Sequence, residues 1–237
     1  MQKQEYKKMY KLEDYHFWFL AKRYFIDSFL ADDKNQIKEI LDVGAGTGGL
    51  SLFLKKYGRV YAIEKNPLAI SLAKKRGLNV KRADADNLPF KKSVFDLVTV
   101  FDVLYHRAID DEKKVVKEIA RVLKPGGFLL ITDSAFEFLR SSHDTALGGK
   151  RRYTIKSLGR IIISGKFKII RASYIFFSIF PLTIVRRLLL KGRGSDVRKV
   201  PWFLNQVLLL ILRLEAFLLR YVNFPFGSSL IVLAKKR

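Results

Sequence analysis

The sequence contains no cysteine. That excludes a cysteine nucleophile of the kind used on pyrimidine C5, a zinc–thiolate site and a disulfide framework, and it suits a reducing compartment; no metal is expected. Acidic residues are scarce beside basic ones, 22 Asp and Glu against 45 Lys and Arg, for a net charge of +23. The imbalance sits late in the chain. From Phe136 to Arg237 there are 20 basic and 4 acidic residues, net +16, which leaves 25 against 18, or +7, before them. Such a surface implies an anionic partner, either nucleic acid or an anionic membrane face. Also missing is an apolar run behind the polar start Met1–Lys8, so no secretory signal is visible and a cytoplasmic protein is expected.

Nor does any apolar run stay uninterrupted long enough to span a bilayer, which takes about 20 residues. The greasiest segment, Trp202 to Tyr221, carries Asn205, Gln206, Arg213, Glu215 and Arg220. Gln206, Arg213 and Arg220 recur every seven residues and predict a polar stripe on a helix that lies on a surface or packs on the core. Glu215 falls on the opposite, apolar side and needs a partner or a function.

What the chain does have is a glycine-rich turn around which the rest is ordered. The apolar run Ile40-Leu41-Asp42-Val43 breaks into Gly44-Ala45-Gly46-Thr47-Gly48-Gly49 and resumes as Leu50-Ser51-Leu52-Phe53-Leu54. This predicts a buried strand, a tight turn and a helix whose first N–H groups are unpaired, a nucleotide-binding arrangement. Gly44, Gly46 and Gly49 have dinucleotide spacing, and Glu64, 20 residues past Gly44 at the end of Val60-Tyr61-Ala62-Ile63, is placed to accept from ribose hydroxyls. A dehydrogenase and an S-adenosylmethionine enzyme both want that carboxylate.

Further pieces break the tie. Asp42 sets a carboxylate at the strand end, where a cationic methionine moiety gains more than a pyrophosphate. Ala83-Asp84-Ala85-Asp86-Asn87-Leu88-Pro89-Phe90 precedes the strand Phe95–Val100, and Arg121-Val122-Leu123-Lys124-Pro125-Gly126-Gly127 leads into Phe128–Thr132. Over roughly residues 37–133 this ordered set resembles the class I S-adenosylmethionine-dependent methyltransferases, particularly the group that includes ubiquinone and menaquinone methyltransferases. The resemblance implies a Rossmann-like α/β fold: a seven-stranded, mostly parallel sheet with the last strand antiparallel, an N-terminal helical cover and a helical insertion before the last strand. The cofactor it implies is S-adenosyl-L-methionine. Gly44, Ala45, Gly46 and Gly48 would line its methionine side, with Asp42 and Asp102 near the amino-acid end, Glu64 at the ribose, and Asp84 and Ala85 at the adenine.

The expected divisions are a cover over 1–36, a core over 37–173 and 228–237, and an insertion over 174–227. His16-Phe17-Trp18-Phe19-Leu20-Ala21-Lys22-Arg23 resembles an N-terminal signature of an uncharacterised subgroup often found with glycan-assembly enzymes, which offers Trp18 or Arg23 to a ligand. Past the fourth strand, Phe101-Asp102-Val103-Leu104 stands where amino-directed nucleic-acid methyltransferases carry an Asn-Pro-Pro-Tyr-like turn, so exocyclic-amine methylation of bases is not expected. Asp102, Tyr105 and His106 lie beyond a strand's carboxyl end and point toward the reacting region. Ser141-Ser142-His143-Asp144 and Lys150-Arg151-Arg152-Tyr153-Thr154 again resemble that subgroup and have the residue types of a site: His143 as a base oriented by Asp144, Arg151 and Arg152 as a grip on an anionic group, Tyr153 beside them. The alternative is a surface loop with Thr154 capping a helix over Ile155–Ser164.

The expected activity is O-methylation of a small or lipid-linked acceptor (a glycan, polyprenyl or quinone-like molecule) by an enzyme peripheral on the inner membrane face. Methylation of RNA through the basic C-terminal part is the alternative.

Overall fold

The computed structural model describes residues 1–189 and 198–237, without the side chains of 188 and 189. Two helices, α1 (Lys3–Leu12) and α2 (Phe17–Leu30), precede the sheet. The chain then runs β1 (Glu39–Val43), α3 (Gly49–Leu54), β2 (Arg59–Glu64), α4 (Pro67–Lys75), β3 (Val80–Arg82), β4 (Phe95–Phe101), α5 (Glu112–Val122), β5 (Leu123–Ser134), α6 (Ser142–Leu147), α7 (Ile155–Ser164), β6 (Phe167–Ile175), α8 (Phe180–Leu189), α9 (Trp202–Leu218) and β7 (Ser229–Lys236). Strand order is β3-β2-β1-β4-β5-β7-β6. The first five pair in parallel, while β7 lies antiparallel between β5 and β6, as the resemblance implies.

Local signals set the helix ends. Asn66 accepts from Leu68 N and Ala69 N ahead of Pro67, and Asp111 accepts from Lys113 N and Lys114 N ahead of α5, each removing orphan donors at a helix start. Lys124-Pro125-Gly126-Gly127 ends no helix on its own: α5 stops at Val122, and β5 begins at Leu123 with a register shift against β4 between Phe95 and Leu97.

Alternate strand residues feed two layers, because successive side chains point to opposite faces. Leu41, Val98, Leu129 and Val232 pack with Val115 and Ile119 of α5 and Leu158 of α7. Ile40, Leu97, Leu130 and Ile231 pack with Phe25 and Phe29 of α2 and Leu212 and Leu219 of α9. The cover helix and the inserted helix therefore share one side of the sheet. Among the described residues, no helix is long and apolar enough to cross a membrane, and no cluster of His, Cys, Asp and Glu could hold a metal.

Glu215 has its partner: its carboxylate accepts from Phe177 N at 2.9 Å and Ser178 N at 2.8 Å. As expected, Gln206, Arg213 and Arg220 lie on an exposed stripe running along α9 and just past its end, and Glu215 lies on the opposite side. Asn205 and Glu215 are buried against the body together with Leu212, Ala216 and Leu219, while a second set of apolar residues, including Phe203, Leu210, Leu214 and Phe217, faces outward. Of the insertion's basic residues, Lys191 and Arg193 lie outside the described residues.

Candidate functional site

The order of strands reverses between β1 and β4, and a crevice opens beyond the carboxyl ends of the strands at such a point. Here it is a cavity of about 550 Å³ lined by residues from the ends of β1, β2 and β4 and from both N-terminal helices. Gly44 and Gly46 take φ of +77° and +57°. A Cβ on Gly44 would meet Val103 Cγ2 at 2.4 Å, so both backbone and space require glycine there.

Four carboxylates border this part of the cavity. Asp42 is buried, and its oxygens accept from Ser51 Oγ at 2.5 Å and Thr99 Oγ1 at 2.8 Å. Burial raises its pKa to about 6, against those two hydrogen bonds. Glu64 accepts from the backbone N–H groups of Gly46, Lys65 and Asn66. Asp84 pairs with Lys65 at 2.5 Å. Asp102, at φ +56°, pairs with Lys22, whose side chain is buried. Ala45 and Ala85 line the same wall.

The lining also includes Glu5 and Glu13 of the N-terminal segment, Trp18, Phe19, Tyr105, His106, Ser134, His143, Leu147, Arg152, Arg187, Ser228 and Ser229. Trp18 also stacks on Phe176, with ring centroids 3.7 Å apart. Burial, then the nearby Asp102 and Asp133, pushes the Tyr105 phenol well above its usual range. His106 is lowered to about 4, first by burial and then by the Met1 amine and Arg107, and its Nε2 lies 2.9 Å from that amine. His143 sits in the first turn of α6, its N–H donating to Ser141 Oγ.

Several expected site residues do other work. Gly48 does not line the cavity; it is the left-handed N-cap of α3, packed against Leu78 and Ala73. Arg23 turns away, donating to Glu13 O and to Asp14. Arg151 pairs with Glu112 and donates to Ile109 O, while Tyr153 donates to Leu104 O and Glu112. Asp144 does not line the cavity beside His143. Its carboxylate receives Arg152 Nε at 2.8 Å, Arg152 Nη2 at 3.1 Å and Ser141 N at 2.9 Å. Burial alone would raise its pKa, but the Arg152 guanidinium holds it low. Ser141-x-x-Asp144 is thus a capping box opening α6, a spacing legible as a helix start. Thr154 likewise caps α7.

Lys22 and Glu13 were missed. Lys22 follows Trp18 by four residues on α2, a spacing that puts both on one face. Glu13 is buried beside Gly49, accepts from Thr47 Oγ1 at 2.7 Å and pairs with Arg76 at 3.0 Å. Those contacts fasten the helical cover over the glycine turn.

These residues fit S-adenosylmethionine. The Gly44 cradle lets a ligand approach the backbone closely, and the acceptor-rich border of Asp42, Glu64 and Asp84 suits an ammonium and ribose hydroxyls.

The sequence profile of the methyltransferase-domain family matches residues 41–131. Among curated proteins, the ubiquinone/menaquinone biosynthesis C-methyltransferase of Wigglesworthia glossinidia brevipalpis is 33% identical over 148 residues, 56% of this chain and 56% of that protein. Norajmaline N-methyltransferase of Rauvolfia serpentina is 29% identical over 143 residues, 56% of this chain and 48% of that protein. Tocopherol O-methyltransferase of Arabidopsis thaliana is 38% identical over 112 residues, 42% of this chain and 31% of that protein. The matches thus span about half, or less, of each relative's length. Among solved structures, an S-adenosylmethionine-dependent methyltransferase from Thermotoga maritima superposes with a TM-score of 0.64 at 18% identity, covering 99% of this chain and 96% of that one. The [4+2]-cyclase SpnF superposes at 0.56 and 20% identity, covering 88% and 81%.

Proposed function

We propose that the chain is a class I S-adenosylmethionine-dependent methyltransferase, a reading its match to the methyltransferase-domain family over residues 41–131 supports, and that it methylates a hydroxyl oxygen on a small or lipid-linked acceptor (a glycan, polyprenyl or quinone-like molecule) at or near a membrane surface. The observation that carries this is the single cavity whose lining includes both the carboxylates at the strand ends and His143. When bound, S-adenosylmethionine supplies an electrophilic methyl group on a sulfonium. In-line displacement at such a methyl depends mostly on positioning, so the residues lining the cavity would serve chiefly to hold acceptor oxygen and methyl group in line. Asp42, Gly44, Ala45, Gly46, Glu64, Asp84, Ala85 and Asp102 hold the cofactor. Lys22, on α2, fixes Asp102. His143 takes the acceptor's hydroxyl proton, while Trp18 and Phe19 offer an apolar wall to the acceptor.

An oxygen acceptor is what calls for the base; a neutral amine needs none before attack. His106 suits that task poorly, since its lowered pKa makes it a weak base. The relatives named above include C-, N- and O-methyltransferases, so the acceptor atom rests on the cavity's own residues. The RNA reading draws on the basic surplus, but Arg151 and Arg152, expected as a grip on an anionic group, are committed to Glu112 and Asp144.

The experiment compares metabolites and lipids of parent and deletion cells by mass spectrometry. A species replaced in the deletion by one lighter by a methylene unit, and restored by the intact gene but not by a His143→Ala copy, identifies the acceptor. Restoration by the His143→Ala copy removes the base from the account.

A further inference from the structure

We infer that the outward face of α9 is a docking surface for anionic lipid. Phe203, Val207, Leu210, Leu214, Phe217 and Tyr221 recur at alternating spacings of four and three, which places them on one stripe of a helix. Every one faces solvent, from 37% exposed at Val207 to 73% at Phe203 and Tyr221. Soluble proteins rarely leave so continuous an apolar surface uncovered.

The rotation of the helix is built in. Asn205 Oδ1 accepts from Phe17 N at 2.8 Å and its amide donates to Tyr15 O at 2.9 Å, clasping the turn between α1 and α2. Two turns and more along, Glu215 accepts from Phe177 N and Ser178 N. Rolling this stripe inward would turn the buried Leu212 and Leu219 outward and leave the Phe17, Phe177 and Ser178 N–H groups without their acceptors. The body thus holds the apolar stripe out.

Charge selects the occupant. Arg198, Lys199, Arg213 and Arg220 are exposed along and beside α9, whose one acidic residue, Glu215, is buried. Arg213 and Arg220 also line a crevice of about 340 Å³ between α9 and α2, together with Tyr24 and Asp27, and Asp27 is already paired with Lys56. An apolar stripe flanked by arginines, with Trp202 and Tyr221 near its ends, matches the acyl boundary and the anionic headgroups of a bilayer surface. The same spacing would suit helix pairing, but a second copy would bring arginines against this face with no exposed acidic residue on α9 to meet them. The inference deepens the membrane-surface part of the proposed function and stands on residues outside the cofactor cavity.

The test is flotation of the full chain with vesicles of phosphatidylcholine alone and of phosphatidylcholine with phosphatidylglycerol. Binding is expected to the anionic vesicles only, weakening as salt rises. Leu210→Ser/Leu214→Ser is expected to lose it by at least about tenfold, and Arg213→Gln/Arg220→Gln to lose the preference for anionic lipid. Calorimetry with S-adenosylhomocysteine on each variant shows whether the body stays folded and the cofactor site intact; unchanged affinity is expected. A wild-type chain that floats with neither vesicle overturns the inference, as does RNA binding without vesicle binding. So does a wild-type dimer in ultracentrifugation that the leucine variant turns into a monomer. None of these readouts requires turnover, so the methyl-transfer reading stands or falls separately.

Discussion

Glu64 fastens Gly46. Its Oε2 accepts from Gly46 N at 3.0 Å, while Oε1 accepts from Lys65 N and Asn66 N at 2.8 Å each. One carboxylate at the end of β2 thereby pins the glycine turn after β1. With about four acceptor positions on a carboxylate, three are spent on backbone and one remains for a ribose hydroxyl.

Glu64→Ala is therefore expected to weaken S-adenosylhomocysteine binding by about 1 to 3 kcal/mol, through the lost ligand contact and the loosened turn together. Glu64→Gln is expected to rescue it only in part, since an amide nitrogen cannot accept from Gly46 N. Calorimetric affinities within twofold of wild type for both variants would show that Glu64 plays neither part.

Asp42 gives a pH-dependent signature without any ligand. Its folded-state pKa, raised from 3.8 to about 6 by burial, means that between these values the native chain holds more protons than the unfolded one, so stability falls as pH rises through the window. Asn at this position avoids a buried charge and still can meet both hydroxyls. Asp42→Asn is expected to gain up to about 3 kcal/mol over wild type above about pH 6, and little below about pH 4. Urea midpoints at both ends of the window check this. An equal shift at both would trace the effect to packing instead.

The two cavity histidines separate in the same way. His143→Ala is expected to lower kcat by about 10²- to 10⁴-fold with cofactor affinity unchanged. His106→Ala is expected to leave kcat within a fewfold. The reverse pattern would move the base to His106 and would require the bound acceptor to undo the lowering by burial and the Met1 amine.

The glycine turn and the carboxylates at the ends of β1, β2 and β4 were legible as local patterns, while the antiparallel last strand was legible only through the family resemblance. Asp144 and Arg152 were not legible as a buried pair. Sequence adjacency to His143 suggested a relay, whereas the fold turns both into the bond that fastens α6 to the stretch before α7. The polar stripe of α9 was legible from its period, but not the second apolar stripe left outside, because the inward side takes Leu212 and Leu219 together with Asn205 and Glu215, whose partners are backbone groups from elsewhere. Lys22 escaped notice because a lysine on an aromatic helix reads as solvated until Asp102 is seen beneath it.

The central claim, transfer of a methyl group to an acceptor oxygen in this cavity, is tested most directly with isotopically labelled methyl. The purified chain is incubated with S-adenosylmethionine carrying a ¹³C-methyl group and a lipid and glycan extract from deletion cells, and the products are read by mass spectrometry and carbon NMR. A labelled O-methyl resonance, formed by wild type and lost with Gly44→Ala, is the expected result, since a Cβ there would run into Val103. Label on nitrogen or carbon, or no labelled product while S-adenosylhomocysteine binds normally, would contradict the account.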